Sequence, residues 1–412
     1  MTVPTHPAGS ASSADSPSPV PTRPAGSPSP STTLFRLARR VTLGAAGAVG
    51  LSWVARAVWE IPAAMGASVS AIAPVAARSA RYRNRQFHNS EPSTQFVSGS
   101  GLSLLVSALT RRGVGRPAGR IPLATPDMPE QAGALAVTWY GHASALVEVD
   151  GYRILTDPVW SERVSPSPVV GPARLHPVPM ALSELPRLDA VVVSHDHYDH
   201  LDRETVAALV AGQDAPFVVP IGIGAHLRTW AVPEHRIIEL DWGTSVSLSD
   251  PDGVRGDLVI TCTEARHFSG RGLVRNTTLW ASWAIAGPHH RVYFGGDTGY
   301  TKAFADIGTR MGPFDLTLLP IGAYDVHWPD VHMNPEEAVR AHADICAEPG
   351  HGLLVPIHWA TFNLAFHGWS EPVRRLVAAA RAAGTSVSVP LPGQRIDANA
   401  VAPQVSWWED VG

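Results

Sequence analysis

Val191-Val192-Val193-Ser194-His195-Asp196-His197-Tyr198-Asp199-His200 joins a short apolar strand to three imidazoles and a spare carboxylate. An extended run sends alternate side chains to opposite faces, so the HxHxDH residues belong on the turn after the strand, where the backbone can converge them. That is the start of a two-metal site, and its remaining ligands should lie downstream. Three candidates follow other apolar runs. His267 comes after Leu258 to Cys262, Asp297 after Val292-Tyr293-Phe294-Gly295-Gly296, and His358 after Leu353-Leu354-Val355-Pro356-Ile357. Loops at one edge of a rigid sheet commonly carry such residues. The set divides into His195, His197 and His267 for one ion and Asp199, His200 and His358 for the other, with Asp297 bridging. Each ion keeps a position for water, as catalytic zinc requires. Only Cys262 and Cys346 occur, far apart, which excludes a thiolate-rich structural site.

The HxHxDH element, a lone His, a bridging Asp and a final His, in that order between strands, resemble the metallo-β-lactamase superfamily. Within it, Trp139-Tyr140-Gly141-His142, Leu155-Thr156-Asp157-Pro158, Phe294 to Tyr300, His332 to Ala338 and His358-Trp359-Ala360-Thr361-Phe362 resemble the N-acylphosphatidylethanolamine-hydrolysing phospholipase D branch. The likeness runs from about residue 135 to 395. It implies an α/β fold of four layers, an αββα sandwich. It also implies two Zn2+ ions, with Fe and Mn suited to the same His/Asp donors. The implied reaction is phosphodiester hydrolysis by a metal-bridging hydroxide, releasing phosphatidic acid and an N-acylethanolamine from a phospholipid. Asp199, Asp297 and His332 would be its catalytic residues, with His332 contacting the substrate phosphate.

Other residues carry two readings each. His332 is also a neighbour of the helix start at Asn334-Pro335. His142 fits a group behind the metals that orients a ligand, or an ordinary buried imidazole. Asp157 fits an anchor for a ligand His, or a turn cap before Pro158. Tyr324 and His327 lie in a loop and could line the pocket or simply face solvent. His342 reads as a helix-surface residue.

The chain has 412 residues, 45% of them apolar, and a net charge of −4. Residues 1–90 hold nine Arg and two acids, about +7, leaving about −11 for the rest. An acidic body argues against nucleic acid as its partner, and a basic leader suits an anionic membrane surface. Residues 1–32, rich in Pro and Ser, read as disordered. Residues 33–90 read as an apolar, basic helical arm or membrane-associating segment, with residues 91–412 as the catalytic domain. The favoured location is peripheral, on the cytoplasmic face of a membrane, and Arg39-Arg40 also suits a twin-arginine export signal. Competing readings are a soluble metallo-hydrolase of lactones or small cyclic phosphodiesters, and a membrane-associated scaffold with a structural metal. Strands are expected near 134–140, 143–149, 152–156, 190–194, 217–220, 258–264, 278–286, 291–294, 315–320 and 353–357. Helices are expected near 203–211, 223–230, 301–311, 335–346 and 371–383.

Overall fold

The computed structural model describes residues 50–412 apart from 51, 100, 112, 251 and 402–404. The expectations for residues 1–32 and for Arg39-Arg40 lie outside the described residues. The chain divides into Met1–Val54 and Ala55–Gly412, so residues 55–90 belong to the same unit as the catalytic body. In that unit, helices α1 (Ile61–Met65) and α2 (Val69–Ala76) and a two-residue-strand hairpin, β1 (Tyr82–Arg83) with β2 (Gln86–Phe87), precede helix α3 (Gly101–Thr110).

Two mixed sheets follow. In the first, β3 (Leu135–Gly141), β4 (Ser144–Val149) and β5 (Tyr152–Thr156) are antiparallel, while β6 (Ala190–Val192), β7 (Phe217–Pro220) and β8 (Ile237–Leu240) continue parallel to β5. β15 (Arg395–Asp397) closes its other edge against β3. The β4–β5 register pairs Val149 with Tyr152, and Asp150 (φ 47°) and Gly151 (φ 84°) are both left-handed. That is the backbone a tight two-residue hairpin demands. The second sheet runs β14-β13-β12-β11-β10-β9, from β9 (Ser245–Leu248), β10 (Leu258–Thr263), β11 (Ser282–Ala286) and β12 (Arg291–Phe294) to the parallel strands β13 (Leu316–Pro320) and β14 (Leu353–Ile357).

Side-chain alternation makes the layers. Val137, Trp139, Ala145, Val147 and Ile154 of the first sheet share one core with Ile260, Cys262, Trp283 and Ile285 of the second. Tyr140, Leu146 and Leu155, one residue out of step with these, face a separate core. There they meet Val206 and Leu209 of α4 (Arg203–Gly212) and Leu227 of α5 (Gly224–Thr229). Phe304 of α6 (Ala303–Met311), Ala338 and Ile345 of α7 (Pro335–Cys346), and Val373 and Leu376 of α8 (Glu371–Ala383) cover the second sheet. The result is helix, sheet, sheet, helix, the expected αββα sandwich. β8, β9 and β15 were not expected from the sequence; they are edge strands of three or four residues whose pattern is only partly buried. His342 corrects another expectation. It is buried, not on a helix surface, and its Nδ1 lies 2.8 Å from Thr317 Oγ1 of β13.

Trp283 ties the two sheets together next to the His-rich turn. It is fully buried on β11 and its indole N–H donates to the Val193 carbonyl at 3.1 Å. Trp283→Ala is expected to lower unfolding stability by about 3–5 kcal/mol through the cavity it leaves, read by denaturant titration. Trp283→Phe, which fills most of that space but orphans the carbonyl, should cost about 1–3 kcal/mol.

Candidate metal centre

Every candidate ligand stands where a strand of one sheet or the other ends at the same edge. His142 follows β3, Asp157 follows β5, His195 to His200 follow β6, Asp297 follows β12 and His358 follows β14. The β6 turn is shaped by its neighbours. The Ser194 N–H and hydroxyl both donate to the Asp157 carboxylate at 2.6 Å, and the Ala281 N–H donates to the Ser194 carbonyl at 2.9 Å. Beyond it, the N–H groups of His200 and Leu201 donate to the His197 carbonyl, folding the HxHxDH residues back on themselves. Gly296 (φ 56°) passes so close that an added Cβ would lie 2.4 Å from the Ser194 Cβ. Only glycine permits that approach, and it sets Asp297 opposite the turn.

Three donor groups result, two of them disjoint and the third, Asp297 with His332 and His358, sharing members with both. His195, His197, His267 and Asp297 present donor atoms within 4.8 Å of one another, and so do His142, Asp199, His200 and His358. In the first set, His195 Nε2 lies 2.7 Å and His267 Nε2 3.4 Å from His197 Nδ1. In the second, Asp199 Oδ2 lies 3.4 Å from His200 Nε2, 3.5 Å from His358 Nε2 and 2.9 Å from His142 Nε2. Asp297 stands between them. Its Oδ2 is 3.9 Å from His195 Nε2, 3.7 Å from His267 Nε2 and 3.2 Å from His200 Nε2, and its Oδ1 is 3.1 Å from His358 Nε2.

The rings are held from behind. His200 Nδ1 lies 2.6 Å from Asp157 Oδ2, His267 Nδ1 2.8 Å from the Val331 carbonyl, and His195 Nδ1 2.9 Å from Ser194 Oγ. Each contact fixes a ring and leaves the other nitrogen facing inward, as ligating imidazoles require. His200 Nε2, His358 Nε2 and Asp297 Oδ1 are buried without a hydrogen-bond partner. Buried polar atoms are rarely left so, and these three point into one space. Burial, then the charges of neighbouring imidazoles, push His195 well down, and burial does the same to His267. Burial also opposes protonation of His200 and His358. Even so, Asp297 with Asp199 and Asp157 lifts His200 well above its usual range, and Asp297 with Asp199 lifts His358 to about 9. The carboxylates demand positive charge, and a divalent cation among neutral imidazoles supplies it. The donor set therefore fits divalent metal ions.

His332 sits at the rim. Its Nδ1 is 3.8 Å from Asp297 Oδ2 and has no hydrogen-bond partner, and its ring lies 5.1 Å from that of His267. Tyr324 and His327 are occupied elsewhere. The Tyr324 hydroxyl donates to Glu371 at 2.9 Å and accepts from Arg375, while His327 contacts Asp325 and, at 2.9 Å, Ser103.

Sequence reasoning passed over Asp196, although it lies inside the motif. It is buried and accepts from the Gly270 N–H at 2.7 Å and the Thr278 hydroxyl at 2.9 Å. Burial opposes its ionisation, yet His226 and its other partners hold it at about 2. His226 and Arg271, which contact it, carried no local signal in the sequence.

The chain is similar to several known proteins. Residues 152–359 match the family described as a Beta-lactamase superfamily domain. The chain is 55% identical over 378 residues to an uncharacterized protein of Mycobacterium tuberculosis, covering 91% of this chain and all of that one. It is 40% identical over 248 residues to N-acyl-phosphatidylethanolamine-hydrolyzing phospholipase D 1 of Caenorhabditis elegans, covering 58% of this chain and 67% of that one. Among solved structures, a metallo hydrolase of Ignicoccus hospitalis aligns with a TM-score of 0.48 at 24% identity, over 64% of this chain and 97% of that one. With half of its length matched to the family and a relative of 40% identity within it, the chain belongs to the metallo-β-lactamase superfamily, among its metal-dependent hydrolases.

Proposed function

We propose that this protein is a binuclear zinc-dependent phosphodiesterase that hydrolyses phospholipids of the N-acylphosphatidylethanolamine type. The observation that carries the reading is the pair of ligand sets sharing Asp297. The relative of that named activity supports the choice of substrate. His195, His197 and His267 would hold one ion, Asp199, His200 and His358 the other, with Asp297 between. His142 would orient Asp199 and Asp157 would orient His200.

Bound divalent ions activate water as a nucleophile near neutral pH and neutralise charge on a phosphoryl oxygen. Water adds to phosphorus as the bond from phosphorus to the ethanolamine oxygen breaks. Its proton goes to that departing oxygen, giving phosphatidic acid and an N-acylethanolamine. His332 is assigned to the substrate phosphate. Burial holds its imidazole down at about 4, so at neutral pH it is uncharged and offers one N–H to a phosphoryl oxygen. A groove of about 600 Å³ lined by Trp160, Leu175, Val178 and Met180 together with His176, Glu162 and Arg174 is a candidate seat for part of the substrate. A hydrogen-bond relay links its wall to the centre: His176 Nε2 is 3.0 Å from the Thr361 hydroxyl, which in turn accepts from the His142 N–H at 2.6 Å.

Val58 and Trp59 are exposed, and with the basic charge of segment 33–90 this supports peripheral attachment to the cytoplasmic face of a membrane.

Asp297→Ala should reduce bound zinc from two equivalents to one or fewer, with kcat/KM down at least about 100-fold, measured by elemental analysis and kinetics on one preparation. His332→Ala should keep both equivalents and lose roughly 10–100-fold in kcat/KM, the worth of one hydrogen bond to a charged group. The substrate is tested by mass spectrometry of products from N-acylphosphatidylethanolamine vesicles, beside bis(p-nitrophenyl) phosphate. Release of N-acylethanolamine, absent in His195→Ala, is the expected result. Turnover of the soluble diester alone would remove the lipid assignment, and silence on both with two ions bound would move the reading to lactones.

A further inference from the structure

The short segment Ile61–Ala67 bonds to three residues beyond the metal-binding turn, Arg271, Trp230 and His226. Arg271, buried, donates from Nε and Nη2 to the Ala64 carbonyl at 3.0 and 2.8 Å. From Nη1 it donates to the carbonyls of Asp196 and Leu201 at 2.8 and 2.6 Å. Its guanidinium lies over Tyr198 and Trp230, 4.1 and 4.9 Å from the ring centres. Trp230 donates its indole N–H to the Ala63 carbonyl at 2.8 Å. The Ala67 N–H donates to His226 Nδ1 at 2.9 Å.

The last contact fixes a tautomer. A ring nitrogen that accepts carries no proton, so in the neutral ring the proton is on Nε2. That atom is buried and faces Asp196 Oδ2 at 3.5 Å. Asp196 stands between His195 and His197, and its other oxygen holds the N–H of Gly270, three residues after His267. One carboxylate thus grips both chain segments that supply the imidazoles of the first ligand set. In the second set, Asp157 holds His200 and His142 holds Asp199, and Asp157 also reaches His195 through the Ser194 hydroxyl. Gly66 (φ 73°) lets the segment close on the ring, since a Cβ there would lie 2.4 Å from His226 Nδ1.

We propose that Ile61–Ala67 braces the His195/His197/His267 ion position selectively, with His226 as the positioning residue that transmits the brace through Asp196. This rests on the two-ion reading above. A segment that packed only for stability would affect both ion positions together, or neither.

The test is titration of metal-free full-length protein with Co2+, followed by visible absorption and calorimetry, for wild type, His226→Leu, His226→Gln and Gly66→Ala, with thermal melts alongside. Wild type should bind two ions. His226→Leu and Gly66→Ala should keep one at wild-type affinity and bind the other about 10–100-fold more weakly. His226→Gln should restore it, because its amide oxygen can accept from Ala67 while its NH2 faces Asp196. Unchanged affinities in the Leu and Ala variants, or equal weakening of both ions, would overturn the brace. Failure of wild type to bind two ions would overturn the two-ion reading itself and the brace with it.

Discussion

The constraint on which the rest of this structure depends is the charge of Asp297. Its side chain is 2% exposed, yet it lies within 3.9 Å of five imidazoles, those of His195, His200, His267, His332 and His358. An ionised carboxylate taken out of water costs several kcal/mol unless it is compensated. Compensation can come from protons on His200 and His358 or from cations among the neutral rings. The ring orientations favour cations, because each supporting contact occupies the outward nitrogen and leaves the inward one available. The same arrangement explains why the site is built at the edge of two sheets. No single loop could bring donors from beyond β6, β10 and β14 to one carboxylate, whereas two packed sheets hold these ends fixed.

Backbone strain is concentrated at this edge. His142, Asp157 and His358 all have positive φ, at 53°, 34° and 60°, and Ala360 beside them stands at 61°. Non-glycine residues in that region cost of order 1–3 kcal/mol each and persist only where the surroundings over-determine them. Here the His142 carbonyl accepts from the His358 N–H, the Trp139 indole N–H donates to the same carbonyl, and the His142 N–H donates to Thr361. The strained residues therefore support one another across the gap between the sheets. Strain of this kind holds the donor residues in one arrangement.

How much of this was legible in the sequence depended on distance along the chain. The HxHxDH turn is local, and the glycine pair before Asp297 and the apolar run before His358 mark their own strand ends. The αββα layering followed from resemblance, since apolar strands with intervening helices give only an α/β class. His142 was read as a group near the metals, but its place within donor distance of His200 and His358 required the strand register. Asp196, His226 and Arg271 are separated by 30 or more residues and share no pattern, so nothing but the folded chain could join them. Tyr324 and His327 illustrate the reverse. Loop position left a pocket wall and a surface loop both open, and the structure ties them to Glu371, Arg375, Asp325 and Ser103. The edge strands β8, β9 and β15 were missed because three or four half-exposed residues carry no usable alternation.

The central claim, two ions sharing Asp297, is tested most directly by anomalous diffraction at the zinc edge from crystals of the purified protein. The account predicts two peaks about 3.5–4 Å apart, one among His195, His197 and His267 and the other among Asp199, His200 and His358, both beside Asp297. A single peak at full occupancy, or two peaks with Asp297 ligating neither, would contradict it.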